Sequence, residues 1–565
     1  MNSTPNSSPD PNPQPLRLVL LCNGLTFEAW EAAALRAVMQ LPFAEIVLVA
    51  ENASHIPGAT LKQPLRYPWR YFFWRAYKRL RLSKIDALQA VDMSDELEKL
   101  PRMKVAVSLK GKHSEYFSDE AVAKIRAANA DVILRFGFNI LRGEILTAAR
   151  YGVWSYHHGD EQQFRGGPPG FWEMVRGVPV TGAILQRLTE TLDSGVVLRK
   201  GYFRTIRKSY RAQLNQLLNG TTPWMKNALT DLHHGITRHA EAAPVSSQAK
   251  ITRYPVNVRF VLAGVQQFFA SLQFHYNELF RHEIWHTGIV SQSITDIAEN
   301  GINGHIHWIV PEAAGEFFAD PFGGIDQEGN ELLLCEHFSY KTGKGVIARL
   351  TRHGNTLLWL EREHHLSYPF LFRVGDEQML LPESHENYNV SLRYAHNPEK
   401  TVMHLLHGVA AVDSSVVEYQ GKFWLFCTVE EEGSNTSLHI FCAENSDSTF
   451  EPHAGNPVKT DVRSSRPGGT PFVQNGKLYR PAQDCASDYG SAVVLNEVTL
   501  LTATEFEEKP VRTLAPQPGW VCNKGLHTLS ALNAGETLID AKRYVFNATQ
   551  FRRVLKRKIS RVFAR

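Results

Sequence analysis

Three groups of residues in this 565-residue chain have types and spacings suited to chemistry. The first lies along 131–198, which reads DVILRFGFNILRGEILTAARYGVWSYHHGDEQQFRGGPPGFWEMVRGVPVTGAILQRLTETLDSGVVL. Ser155 and His157 close an apolar run, Arg165 and Gly166 open a Gly/Pro-rich loop, and Asp193 stands in an Asp-Ser-Gly turn. Such side chains donate hydrogen bonds and carry protons near neutral pH. The second group is Asp320, Glu383 and Asp413, carboxylates at the start or end of apolar strands, with Arg480, Gln483, Asp484, Tyr489 and His527 in later segments of the same kind. Carboxylates serve as general acids and bases. Taken singly, any one of these residues is more often a structural turn residue than a reacting group. The third group is cationic. Residues 62–84 hold eight Lys/Arg and no acid, and 550–565 hold seven and no acid, so the rest of the chain has 46 basic against 57 acidic residues.

The elements that must position these groups fall into two regions. From Leu16, the runs RLVLLCNG, AEIVLVAE, MKVAVSL and DVILRFGF alternate with the helical patterns FEAWEAAALRAVMQL and SDEAVAKIRAANA. That alternation predicts an α/β domain with a parallel sheet covered on both faces. Helical patterns then dominate to about 282, interrupted by the soft stretch AEAAPVSSQAKITRYP. After it, short strands broken by Gly, Asn and Asp turns predict an all-β region. Five strand-opening segments recur there: FFADPFGG, SYPFLFRV, VAAVDSSVV, RPGGTPFVQ and GLHTLSAL. Their spacing of about 52 residues suits four-stranded blades, hence a five-bladed β-propeller.

The order of motifs along 131–198 resembles the core of the folate-dependent formyltransferases, which act on methionyl-tRNA, glycinamide ribonucleotide and sugar nucleotides. LRFGFNIL matches a strand ending in a Gly-containing loop; the Ser155–His157 stretch, the Arg-Gly loop with Pro169, the Thr181-Gly182 strand and the Asp-x-Gly loop follow in family order. The resemblance implies a Rossmann-like formyltransferase domain with His157 as catalytic histidine and Asp193 as catalytic aspartate. It puts Ser155 where the family has its catalytic asparagine and Gly159 where serine is usual. Phe136, Gly137, Phe138, Arg165 and Gly166 fall on the cofactor-binding loops, and 10-formyltetrahydrofolate is the implied cofactor. Formyl transfer to an amine passes through a tetrahedral intermediate whose oxyanion needs positioned donors. The amine must also lose a proton, which a carboxylate can guide. No metal is required. A serine hydroxyl reaches less far than an amide, which leaves both oxyanion stabilisation and acyl-group identity open.

In the second region ADPF, LYRPAQDC followed by YG, and GLHT followed by IDAKR resemble the propeller of plant glucosamine inositolphosphorylceramide transferases. They resemble more remotely the five-bladed furanosidase-type glycoside hydrolases. That likeness implies a carbohydrate site at Asp320, Glu383 and Asp413, with Arg480, Gln483, Asp484 and His527 bonding sugar hydroxyls, and favours binding over hydrolysis.

A composition of 43% hydrophobic and 21% charged residues is that of a globular chain too long for one core. The first fifteen residues, MNSTPNSSPDPNPQP, cannot repay the entropy of ordering. Neither a secretory signal pattern nor a span of about 20 apolar residues stands out, and six dispersed cysteines suit reduced thiols rather than a structural metal. A cytoplasmic protein is expected. Trp69, Tyr71, Phe72, Phe73, Trp74 and Tyr77 interleave with cations, as does the tail, which favours an anionic membrane surface at its inner face over nucleic acid. The expected organisation is a disordered tail (1–15), a formyltransferase-like domain (16–240), a linker and helix (241–282), the propeller (283–545) and a basic tail (546–565). The expected activity is transfer of a formyl or related acyl group to an amino sugar, as a sugar nucleotide or lipid-linked glycan, in cell-surface polysaccharide synthesis. Two rivals stand beside it: a glycan-binding scaffold with an inactive formyltransferase-like domain, and a propeller that is itself a glycosidase or glycosyl-transfer module.

Overall fold

A computed structural model describes residues 15–53, 69–111, 113–191, 195–446 and 448–563. Asp193, most of the N-terminal tail and residues 62–68 of the first cationic segment lie outside the described residues. The chain divides into two compact units, Met1–Gly201 with Thr205–Phe269, and Tyr202–Arg204 with Ala270–Arg565.

The first unit is built on a seven-stranded sheet. Its strands are β1 (Leu16–Cys22), β2 (Ala44–Asn52), β3 (Arg102–Val105), β4 (Val132–Arg135), β5 (Val153–His157), β6 (Val180–Arg187) and β7 (Val196–Arg204). Their order is β7-β6-β5-β4-β1-β2-β3. From β5 through β4, β1 and β2 to β3 every pairing is parallel, and β6 returns antiparallel to β5. Leu18 to Cys22 are all fully buried, the unbroken apolar run that a sheet covered on both faces requires. The expected α/β fold with a parallel sheet holds. Helix α1 (Ala29–Met39) opens with a capping box in which Glu28 and Glu31 exchange backbone and side-chain bonds. Helix α2 (Phe72–Leu80) and the long helix α3 (Asn257–Phe280) also belong to this account; α3 crosses the division between the units.

Among the described residues the second unit holds five antiparallel sheets, four of four strands and one of five. One of them joins the two ends of the unit, since His282–Val290 pairs with Thr537–Val545 along its whole length. In three sheets the first strand carries the same irregularity. The register shifts between Ala319 and Phe322, between Ser367 and Phe370, and between Val412 and Ser415. At these bulges Asp320, Tyr368 and Asp413 adopt φ of 49°, 44° and 54°. A left-handed non-glycine residue costs of order 1–3 kcal/mol and gathers at functional sites. The recurrence of one strained position in successive sheets is the structural counterpart of the recurring strand-opening segments.

Candidate functional site

In the first unit the chain runs outward through β1, β2 and β3, then returns to β4 and β5 on the other side of β1. The crevice beyond the carboxyl ends of β1 and β4 is therefore the switch point at which open α/β sheets bind ligands. Asn23, Arg135 to Phe138, and His157 stand at these strand ends. Asn23 Oδ1 accepts from Phe138 N at 3.1 Å and from Asn52 Nδ2 at 3.2 Å, tying the loop to β1. Gly137 permits this closeness, because a Cβ there would lie 2.7 Å from Asn23 N. Phe136 and Phe138 are buried, and Phe136 packs with Phe27, Trp30 and Tyr156. Their rings shape the wall behind the strand ends.

Ser155 and His157 point to one face of β5 because strand side chains alternate. Ser155 is buried, and its Oγ accepts a 2.8 Å bond from Arg135 Nη1. Arg135 Nη2 donates to the carbonyls of Phe138 and Asn139 at 2.9 and 2.7 Å, while its Nε has no hydrogen-bond partner among the described residues. Burial lowers the proton affinity of the Arg135 guanidinium, opposed by Glu115 and Glu31. The Ser155 hydroxyl in turn donates a long bond to Tyr156 O at 3.4 Å. Glu31 is raised to about 8 by burial and by Glu28, so it holds a proton at neutral pH. Beside His157, His158 is pushed down to about 3 by burial and faces Thr221 Oγ1 at 3.0 Å. Gly159 has a steric cause: a Cβ there would lie 2.6 Å from Phe164 O and 2.9 Å from His157 Nε2. Arg165 Nη1 reaches the Ser247 and Ala249 carbonyls at 3.4 Å, and Gly166 at φ 87° pairs with Thr252.

The second unit gathers a buried polar cluster. Asp413 accepts from Arg466 Nε at 2.6 Å and from Gln483 Nε2 at 2.7 Å. Glu383 accepts from the Asp413 backbone at 3.0 Å and pairs with His385 at 2.9 Å. Asp320 accepts from Thr528 Oγ1 at 3.0 Å, and Asp540 accepts from the Asp320 backbone at 2.9 Å. His527 stacks on Trp285 at 3.8 Å and lies 2.7 Å from Asp540. Burial raises the carboxyls of Asp320, Asp413 and Glu336, with His527 and Arg466 opposing it at the first two. Burial also works to raise Glu383, but bonds from His385 and Asp413 together with Arg466 outweigh it and bring it down to about 2. One cluster thus contains carboxyls shifted in opposite directions, the arrangement acid–base chemistry needs. Asp320, His527 and Asp540 offer ligand atoms within 4.8 Å of one another. Their bonds to one another and to the backbone account for the arrangement without an ion.

Of the residues singled out from sequence, Asp320, Glu383, Asp413, Gln483 and His527 come together here. Arg480 does not: it is fully buried, forked onto Glu508 at 2.9 and 2.6 Å and bonded to the Ser464 and Ser465 carbonyls. It braces the strands instead of facing a sugar. Asp484 caps Ala486 N at 2.9 Å. Arg466, Asp540, Glu336, Tyr368, Arg135 and Glu31 were missed. The Asp540 signal lay in IDAKR, the Arg466 signal at the head of RPGGTPFVQ and the Tyr368 signal in SYPFLFRV; nothing local marks the other three.

Comparison with known proteins matches a family described as "Glucosamine inositolphosphorylceramide transferase 1, N-terminal" to residues 309–525. The chain is 34% identical over 211 residues to glucosamine inositolphosphorylceramide transferase 1 of Oryza sativa subsp. japonica, covering 34% of this chain and 28% of that protein. It is 33% identical over 97 residues to methionyl-tRNA formyltransferase of Prochlorococcus marinus, covering 17% and 29%. It therefore spans less than a third of either relative's length. A formyltetrahydrofolate deformylase structure from Pseudomonas syringae pv. tomato superposes with a TM-score of 0.27 at 19% identity, over 38% of this chain and 60% of that one. Both resemblances read from the motifs thus have counterparts among known proteins.

Proposed function

We propose that the protein is a transferase whose first unit moves a formyl or related acyl group onto an amino sugar, as a sugar nucleotide or lipid-linked glycan, while its second unit, five sheets read as blades of a propeller, binds the carbohydrate. The observation that carries this reading is the convergence of Asn23, Arg135, Ser155 and His157 on the carboxyl ends of the strands flanking the topological switch point. Likeness to methionyl-tRNA formyltransferase and to glucosamine inositolphosphorylceramide transferase 1 supports the two halves of it.

A folate-type one-carbon donor fits this donor set: Arg135 has an Nε to spare and the rings of Phe27, Trp30, Phe136 and Tyr156 cluster beside it. Bound against Phe136–Phe138, 10-formyltetrahydrofolate would supply an activated formyl group. His157 then polarises the acyl oxygen, and the Ser155 hydroxyl, strengthened as a donor by Arg135, adds a second bond. Asp193 would take the amine proton as the new nitrogen–formyl bond forms, and a proton would be returned to the donor nitrogen as its bond to the formyl carbon breaks. Contact with an anionic membrane surface through the two cationic segments completes the reading, with synthesis of cell-surface polysaccharide at the inner face of the membrane as its setting. Among the described residues no helix is long and apolar enough to cross a membrane.

The test is incubation of the full chain with 10-formyltetrahydrofolate and a panel of amino-sugar nucleotides, followed by mass spectrometry for an added formyl group. His157→Ala and Asp193→Asn are expected to fall by about a hundred- to a thousandfold. Full activity in both would overturn the assignment. A second reading, in which the second unit does glycosidic chemistry beside an inactive first unit, is favoured by the opposed proton affinities of Asp413 and Glu383. Turnover of a glycan without acyl transfer would select it.

A further inference from the structure

Within the first unit, α3 leaves much of its circumference uncovered. Val258, Phe268 and Phe269 are 70%, 64% and 60% exposed, and Val261, Leu262 and Val265 are exposed with them. Spacings of three and four residues align them as one stripe along the helix. The opposite side is anchored, because Phe260 and Ala263 pack with Trp74, Phe171 and Tyr210. Asn257 fastens the neighbouring helix: its Nδ2 donates to Trp69 O at 2.7 Å and its Oδ1 accepts from Phe73 N at 3.1 Å. Helix α2 and the turn before it present Trp69, 81% exposed, together with Phe72, Phe73 and Leu80. Arg70, Lys78, Arg79 and Arg81 stand among them.

Exposed apolar stripes of this kind mark a docking face. Its charge identifies the occupant. Residues 69–84 and 257–269 contain no acidic residue, so a second copy placed across a two-fold would bring uncompensated cations against cations. Anionic lipid headgroups complement the cations, and Trp69 with the phenylalanines suits the headgroup level of a bilayer. We propose that α2 and the first half of α3 lie in the surface of an anionic bilayer, with Val265, Phe268 and Phe269 sunk at the acyl boundary. The inference rests on the peripheral-membrane part of the proposed function and adds an apolar component to it.

Full-length protein would be sedimented with phosphatidylcholine vesicles with and without phosphatidylglycerol, at low salt and at about 1 M salt, where charge attraction is screened within about 3 Å. The wild type is expected on anionic vesicles at low salt and still partly bound at high salt. A Val265→Ser/Phe269→Ser variant, with unchanged far-UV circular dichroism, should lose roughly tenfold or more in partition at both salts. If salt releases the wild type fully and the variant partitions as well as it does, the cations bind lipid without α3 and this inference fails while the peripheral reading stands. If the wild type binds neither vesicle, both fail. Should the wild type ignore vesicles but sediment as a dimer that the variant dissociates, α3 meets a second copy and the inference is overturned.

Discussion

Arg466→Met tests whether the buried cluster of the second unit is electrostatically coupled. The guanidinium reaches Asp413 Oδ2 at 2.6 Å and Oδ1 at 3.3 Å, with Glu383 also within its field. Both partners are largely buried, at 13% and 3% side-chain exposure. Methionine keeps much of the volume and removes the charge. Breaking one side of a buried pair costs about 3–5 kcal/mol, unless the remaining carboxyl takes up a proton. Asp413 already holds its proton above the usual range, because burial outweighs Arg466; without Arg466 it holds it higher still. Between the unfolded value near about 3.9 and that raised folded value, the folded state binds the extra proton. Stability therefore falls as pH rises through the window, by up to about 1.4 kcal/mol per pH unit for one proton. The variant's deficit should be smallest at acid pH, where Asp413 is protonated with or without Arg466, and should grow toward about 3–5 kcal/mol as the pH rises, in urea titrations followed by circular dichroism. Adding Asp413→Asn should restore part of the loss at the higher pH and flatten the dependence. A deficit under about 1 kcal/mol at pH 8, unchanged at pH 5, would refute the coupling.

Two further substitutions probe the first unit. Gly159→Ser, which restores the residue usual in the resembled family, forces a Cβ to within 2.9 Å of His157 Nε2; moving that ring should lower formyl transfer by about a hundredfold, and undiminished transfer would show that His157 is not held where the structure places it. Ser155→Asn alone should also lower transfer, because Arg135 Nη1 stands 2.8 Å from the serine oxygen; combining it with Arg135→Leu should recover part of the loss, and strictly additive losses in single-turnover assays would separate the two sites.

The parallel sheet was legible because β1, β2 and β4 are short apolar runs divided by a capped helical pattern, a local signal. The strand-opening segments were legible too, since FFADPFGG, SYPFLFRV and VAAVDSSVV carry the bulges at Asp320, Tyr368 and Asp413 on one recurring pattern. What sequence could not supply was pairing across distance. Arg480 looked available for sugar because nothing near it announces Glu508, which lies 28 residues away and engages it fully. Arg135 read as one more residue of an apolar run, yet Ser155 is its partner from the neighbouring strand. Nothing in the helical pattern FEAWEAAALRAVMQL sets Glu31 apart; desolvation at the helix start and the neighbouring Glu28 raise its carboxyl to about 8.

The two departures of the first unit from the formyltransferase pattern have physical causes in the same few residues. β4 and β5 are paired in parallel, with Leu134 opposite Trp154, so Arg135 and Ser155 follow as neighbours. An asparagine at 155 would need the space into which the guanidinium extends. With serine there, the guanidinium donates to the hydroxyl oxygen and leaves its proton to be donated elsewhere, in a charge-assisted chain stronger than a neutral amide supplies. Two residues thus stand where the family pattern has one, and the strand end becomes more cationic. Glycine at 159 follows from the position of the His157 ring, which occupies the room a side chain would take. Each departure thus answers to a neighbouring group, Ser155 to the Arg135 guanidinium and Gly159 to the His157 ring and the Phe164 carbonyl.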